Sequence, residues 1–211
     1  MPPALVLAVM YLTQEPGSVR SFVAHAGQID IVIPTWYTAD AYGAVTGRPD
    51  QTVLETARKH GVKVMPIIVN PDFHQPTVHA LLSSDEARSR VARSLLEECR
   101  RNQYYGIQLD FENIPAADRD ALTALVRETS ALLARDGFRL SIAAMYQTTA
   151  ERPSAPGYAQ WLWDHWLGAY DLAALAPHVE FVSVMTYDHH TERTPPGPLA
   201  GPGRRGAAGR G

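Results

Sequence analysis

The 211-residue sequence has one cysteine, Cys99. That excludes an internal disulfide and any cysteine-rich metal site. It has no excess of basic charge: 19 Lys and Arg stand against 22 Asp and Glu, a formal net charge of −3. Nothing in that balance points to nucleic acid or to an anionic membrane surface as a partner. No apolar run reaches the ~18 residues of a membrane span. Only residues 1–12 could pass for a targeting signal. They lack a basic start, their apolar run is short, and Gln14-Glu15-Pro16 is no small-residue cleavage site. They read as a first strand, and nothing in the sequence fixes a cellular location. The turn that follows, TQEPGS, lacks a glycine-rich phosphate-binding pattern. What remains is 45% hydrophobic and 19% charged, the composition of a soluble globular protein with one domain and a substantial core.

Strand and helix signals then alternate. Residues 4–12 (ALVLAVMYL) are a near-continuous apolar run, suited to a strand covered on both faces. Ser18 is placed to cap a short helix that Gly27 ends, and residues 29–37 (IDIVIPTWY) predict a second strand. Asp50 caps a helix through His60, stopped by Gly61, and residues 62–70 (VKVMPIIVN) predict a third strand. Ser83 and Glu86 have the spacing of a capping box. The helix they open carries Val91, Ala92, Leu95, Leu96 and Cys99 on one stripe, which makes Cys99 a buried thiol. Residues 104–113 predict the fourth strand. After Pro115 an amphipathic helix carries Leu122, Leu125, Val126, Thr129, Leu132 and Leu133 and stops at Gly137. Residues 139–147 (RLSIAAMYQ) predict the fifth strand. An aromatic segment with Trp161, Trp163 and Trp166 follows, Asp171 caps a short helix, and residues 179–188 (VEFVSVMTYD) predict the sixth strand.

Six alternations argue for an α/β fold with a parallel sheet and helices outside it. Functional-looking residues gather at strand C-terminal ends, as in a (β/α)8 TIM barrel. The rival doubly wound sheet would normally show the phosphate turn that is missing here. A barrel needs eight units. About six βα units are predicted, so the expectation is an incomplete barrel over residues 1–194, its seventh and eighth strands missing. Residues 195–211 hold ten Gly or Pro and no aromatic, and a disordered tail is expected there. A truncated or frame-shifted gene product would account for both features.

The fourth strand carries the chemistry. Alternation puts Tyr105, Ile107, Leu109 and Phe111 on one face and Gly106, Gln108, Asp110 and Glu112 on the other. A polar row inside a doubly covered strand is costly unless something uses it. Two adjacent acids repel, so one is pushed to hold a proton near neutral pH, as a general acid requires. A solvated edge strand, its acids merely aiding solubility, would show the same pattern.

The run YGIQLDFE resembles the catalytic strand of glycoside hydrolase family 18, the chitinase-like enzymes. The family pattern is Asp-Gly-x-Asp-x-Asp-x-Glu, which Gly106, Asp110 and Glu112 match. Tyr105 and Gln108 stand where the family usually has Asp, and an amide at the Gln108 position occurs in some relatives acting on bacterial cell walls. A second run, Met185-Thr186-Tyr187-Asp188, resembles the Met-x-Tyr-Asp motif on the family's sixth strand. It lies two βα units after the first, in the family's order.

The resemblance covers residues 5–200 and implies a substrate-assisted, retaining glycosidase acting on polymers of β-linked N-acetylglucosamine, chitin-type or peptidoglycan. It implies that Glu112 is the general acid and base, that Asp110 orients the sugar's acetamido group, and that Tyr187 hydrogen-bonds the acetamido oxygen. Asp188, Gln108 and Met185 are implied substrate-side residues. Trp36, Tyr37 and Tyr146 are aromatic candidates for stacking on sugar, with core packing an equal reading. The Trp161, Trp163 and Trp166 segment is either a cleft wall or a loop anchor. No cofactor or metal is implied. His189 and His190, like His74 and His79, lack a third ligand at recognisable spacing. The alternatives are a lectin-like, non-catalytic barrel, which would usually lack the terminal acid, and an inactive fragment.

Overall fold

A computed structural model describes residues 7–187 and Gly197. Its strands are β1 (Val9–Leu12), β2 (Ile31–Ala39), β3 (Val45–Gly47), β4 (Lys63–Val64), β5 (Ile67–Val69), β6 (Gly106–Asp110), β7 (Arg139–Met145) and β8 (Val182–Met185). The main path runs β1-β2-β5-β6-β7-β8, with every neighbouring pair parallel. Strand β4 also pairs parallel with β2, and the short β3 folds back antiparallel on it. Together β4 and β5 are the predicted third strand, interrupted at Met65 and Pro66; proline has no N–H to add to the ladder, and its carbonyl, which faces β6, accepts from the Gln108 N–H. Six staves in chain order, curled with helices around them, make an incomplete barrel.

The helices are α1 (Pro16–His25), α2 (Gln51–His60), α3 (Gln75–Ser83), α4 (Asp85–Asn102), α5 (Arg119–Ala134), α6 (Tyr158–Leu162) and α7 (Leu172–Leu175). Asp50 caps α2 by accepting from the Val53 N–H at 3.2 Å, and Gly61 ends it in the left-handed region (φ 70°). Two predicted caps move. Helix α1 begins at Pro16 with Glu15 before it, because proline suits the first helical position. Ser84, not Ser83, caps α4, accepting from the Ala87 N–H at 3.2 Å. Ser83 is the last residue of α3, a helix not predicted from the sequence, whose Val78, Leu81 and Leu82 are fully buried.

The main core lies between sheet and helices. Val32, Ile68, Ile107, Leu109 and Phe111 meet Phe22, Val53, Val91, Leu95 and Leu125 there. Cys99 is buried in the same layer, as its stripe predicts, and burial pushes its thiol up to about 12. A smaller cluster, Ile31, Ile33, Met65 and Ile67, fills the barrel side of the sheet.

Tyr105 packs against this inner cluster, not with Ile107 and Leu109 as strict alternation predicts. The Tyr105 N–H donates to Val64 and the Gln108 N–H to Pro66, so three residues of one strand span two of the other. That is a β-bulge, and it reverses the facing of everything before it. Gly106 makes it possible, since a Cβ there would lie 2.0 Å from the Arg139 carbonyl oxygen.

Candidate active site

On the barrel side of β6 the side chain nearest the core is Gln108, fully buried. Its Nε2 donates to the Tyr11 hydroxyl at 2.6 Å, and its Oε1 accepts from Ser141 Oγ at 3.1 Å and Ser183 Oγ at 3.3 Å. Hydroxyls from β1, β7 and β8 thus satisfy a polar group that burial alone would penalise. This neutral layer is the floor on which the next inward residue sits.

That residue is Asp110, at the C-terminal end of β6. Its Oδ1 is buried and without a hydrogen-bond partner. Burial pushes its carboxyl up to about 6. The sequence anticipates a carboxyl raised by its neighbour's charge, and here the cause is desolvation.

Glu112 lies beyond the strand, on backbone that its neighbours hold firmly. The Asn70 side chain accepts from the Glu112 N–H at 2.9 Å and donates to the Glu112 carbonyl at 3.1 Å. The Tyr170 hydroxyl, wholly buried, donates to the Phe111 carbonyl at 2.6 Å. Burial, reinforced by the charges of Glu112 and Asp110, holds that hydroxyl well above the usual phenol range, so it remains a donor. Asn113 then turns in the left-handed region (φ 55°), its side chain donating to Phe73 at 3.0 Å and accepting from Gln75 at 3.1 Å. Asparagine is among the residues that tolerate this conformation.

Asp110 and Glu112 open into one cleft of ≈ 730 Å³ at the C-terminal ends of the staves, with Met145, Tyr146, Met185 and Tyr187 also on its walls. Phe73, Leu162 and Leu167 extend the apolar part of the wall. The two sequence motifs, 75 residues apart, therefore meet at the end of a parallel sheet where active sites of barrels are built.

Trp36 and Tyr37 do not join them. The register of β2 shifts between Thr35 and Tyr37, a second irregularity, and both aromatics pack on the helix side of the sheet. The Tyr37 hydroxyl donates to Glu98 at 2.8 Å and lies 2.8 Å from the Tyr104 hydroxyl, while the Trp36 ring sits 6.0 Å from that of Tyr104. Core packing, not sugar stacking, accounts for the pair. Asp188, His189 and His190, and the expected tail at 195–211 apart from Gly197, lie outside the described residues. Among the described residues no group of three His, Cys, Asp or Glu is placed to hold a metal ion, and no helix is long and apolar enough to cross a membrane.

Tyr11, Asn70, Ser141, Tyr170 and Ser183 support the site without forming any motif. Asn70 alone left a trace, as a polar residue closing the apolar run PIIVN at a strand's C-terminal end.

The family model described as glycosyl hydrolases family 18 matches residues 8–207. The chain belongs to that family. Among curated proteins, the putative sporulation-specific glycosylase YdhD of Bacillus subtilis (strain 168) is 29% identical over 154 residues, 72% of this chain and 34% of that protein. Among solved structures, a chitinase from Chromobacterium violaceum superposes with a TM-score of 0.82 at 20% identity, over 96% of this chain and 62% of the chitinase. The Bacillus cereus spore cortex-lytic enzyme SleL gives 0.81 at 18% identity, over 99% of this chain and 50% of SleL. At these identities the two structures establish the fold. The family 18 chain described here spans a third to three-fifths of the length of these relatives.

Proposed function

We propose that this protein is a glycoside hydrolase that cleaves β-linked N-acetylglucosamine polymers, of chitin or peptidoglycan type, by a substrate-assisted retaining mechanism. One observation carries the reading. Asp110 and Glu112 rise from the same end of the same strand into one cleft, and no other carboxylate is among its described lining residues. A conventional retaining pair flanks the scissile bond, its carboxyls ~5–5.5 Å apart. With both acids on one side, the nucleophile comes from the substrate.

In this mechanism Glu112 protonates the glycosidic oxygen as the bond to the leaving sugar breaks. The substrate's acetamido carbonyl oxygen attacks the anomeric carbon and closes an oxazolinium-type ring. Asp110, ionised, accepts from the acetamido N–H and stabilises the positive charge that develops there. Tyr187 donates to the acetamido oxygen before it attacks, and Met185 and Tyr146 contact the sugar. Glu112, now a carboxylate, takes a proton from the water that opens the ring. Gln108 keeps the layer beneath Asp110 neutral and fixed. The curated and structural relatives named as glycosylase, chitinase and cortex-lytic enzyme fit a substrate of this class.

The test compares chromogenic β-glycosides of chitobiose and cellobiose, which differ at the sugar 2-position. It is run on the 211-residue chain and on a fusion carrying the last two strand–helix units of a family 18 relative. Hydrolysis of the first substrate only, unchanged by EDTA and lost by ~10²–10⁴-fold in Glu112→Gln, is expected. Comparable rates on both sugars would mean that an enzyme carboxylate attacks, and Asp110 would need a different role.

A further inference from the structure

We propose that the turn after β5 and the turn after β6 form one reciprocally clamped unit, in which Phe73 and Asn113 are positioning residues for Glu112. This rests on the reading of Glu112 as the acid of the cleft.

The backbone marks the place. Among the described residues, four that are not glycine lie in the left-handed region: Asp72 (φ 52°), Phe73 (φ 50°), Gln103 (φ 58°) and Asn113 (φ 55°). Gln103 ends α4, where that conformation is common. The other three fall in the turns that follow β5 and β6. Asparagine and aspartate tolerate it, a bulky phenylalanine does not, and each such residue adds strain. Strain of this kind persists only where the surroundings over-determine the chain, and it gathers at functional sites.

The surroundings do so here. The chain leaves β5 at Val69, still paired with Asp110, and enters at Gln75 a helix whose Val78, Leu81 and Leu82 are fully buried. Residues 70–74 must join these two fixed ends. They close tightly, the Phe73 N–H donating to the Asn70 carbonyl at 3.2 Å and the His74 N–H to the Pro71 carbonyl at 3.0 Å. Two asparagines then lock this turn to its neighbour. Asn70 holds both backbone groups of Glu112, at 2.9 and 3.1 Å. In return Asn113 donates to the Phe73 carbonyl at 3.0 Å, while its other end accepts from Gln75 at 3.1 Å. Each turn grips the other through a side-chain amide, and both ends of the Asn113 amide are taken. Rotation of Phe73 out of the left-handed region would swing its carbonyl away and leave Asn113 without that acceptor. The strained turn therefore sets where Asn113 stands and, through the chain, where Glu112 stands. A general acid works only within hydrogen-bond reach of the leaving oxygen, and a small misplacement is costly.

Asp72 is exposed and outside the cleft lining, so a substitution there tests the backbone rather than a contact with substrate. Hydrolysis of the chromogenic chitobiose glycoside and hydrogen–deuterium exchange are followed together. Asp72→Val, whose branched side chain resists the left-handed region, should lower kcat about tenfold with KM within about twofold. Asn113→Gly, which keeps φ but removes the amide, should do the same, whereas Asp72→Gly should keep the parent kcat. Asp72→Val should also speed exchange over residues 110–114, and Asn113→Gly over residues 70–75, each in the turn it does not belong to. Circular dichroism should show the variants folded, and if either of the two damaging ones is not, the other carries the test. Exchange that changes only in the mutated turn, or a full kcat in both damaging variants, overturns the proposal. If Glu112→Gln leaves hydrolysis intact, or the parent hydrolyses nothing, the catalytic reading falls. The exchange pattern then decides the clamp by itself.

Discussion

The amide of Asn70 pairs with both backbone groups of Glu112, as a neighbouring strand would, just past the last β5–β6 pair, Val69 with Asp110. Strand β5 thus fixes the backbone under Glu112 after the regular ladder has ended. Asn70 is itself 1% exposed, so water does not readily replace it. Removing one partner of a buried hydrogen bond leaves the other with its desolvation cost, ~1–3 kcal/mol. Asn70→Ala is therefore expected to lower stability by about 2 kcal/mol in denaturant titration and to reduce kcat about tenfold, with KM nearly unchanged. Lower stability with full kcat per folded molecule would make the clamp a matter of folding alone.

Asp110 makes activity and stability respond to pH in opposite directions. Its folded carboxyl, pushed up to about 6 by burial, lies above the ordinary value of 3.8. Between those values the folded state holds a proton that the unfolded chain has released. The contribution of Asp110 to stability is then greatest below pH ~4, falls as pH rises through ~6, and stays at the lower value above it. The span is about 3 kcal/mol as an order of magnitude. In the proposed mechanism Asp110 acts as a carboxylate, so activity is expected to rise as pH passes through ~6. Denaturant titrations of wild type and Asp110→Asn from pH 3.5 to 7.5 check this. The variant should lose the decline and be the more stable protein at pH 7. A parallel pH dependence in both proteins would mean that another group sets it.

Periodicity made the six staves legible, and their C-terminal ends gave Asp110, Glu112 and Tyr187 their common cleft. Alternation failed at the two register irregularities. One lies at Gly106, where the chain must approach Arg139 closely, and the other at Thr35 to Tyr37. A bulge is settled by which carbonyls the neighbouring strand offers, and no local residue pattern announces it. Trp36 and Tyr37, at the end of the second predicted strand, suit sugar stacking and core packing equally, and the irregularity there puts both in the core. Asn70 and Tyr170 escaped for a related reason. They act on the backbone of residues 42 and 59 positions away, through contacts that exist only once the sheet has formed. The cap at Ser84 shows the limit of short motifs: the capping-box spacing picks Ser83, but α3 takes Ser83 into its last turn and leaves Ser84 to cap α4.

The incomplete barrel bears directly on how the protein behaves in solution. Among the described residues β1 and β8 each have a neighbour on one side only. Val9 and Tyr11 on β1 are 39% and 44% exposed, and every residue of β8 is only partly buried, whereas β6 and β7 are almost wholly covered. Tyr11 reaches across to Gln108 and Ser183, which ties the open side together but covers little apolar surface. Unpaired edges and exposed apolar faces of this kind favour pairing with another chain. The 211-residue protein is therefore expected to self-associate, with a sedimentation coefficient that rises with concentration, and to unfold irreversibly on heating. Val9→Lys, placing a charge on the exposed edge without touching the cleft, should increase the monomer fraction. The fusion that supplies two further strand–helix units should do the same and sharpen the thermal transition. A monomer at all concentrations with a sharp, reversible transition would mean that the open side is shielded by some other part of the chain.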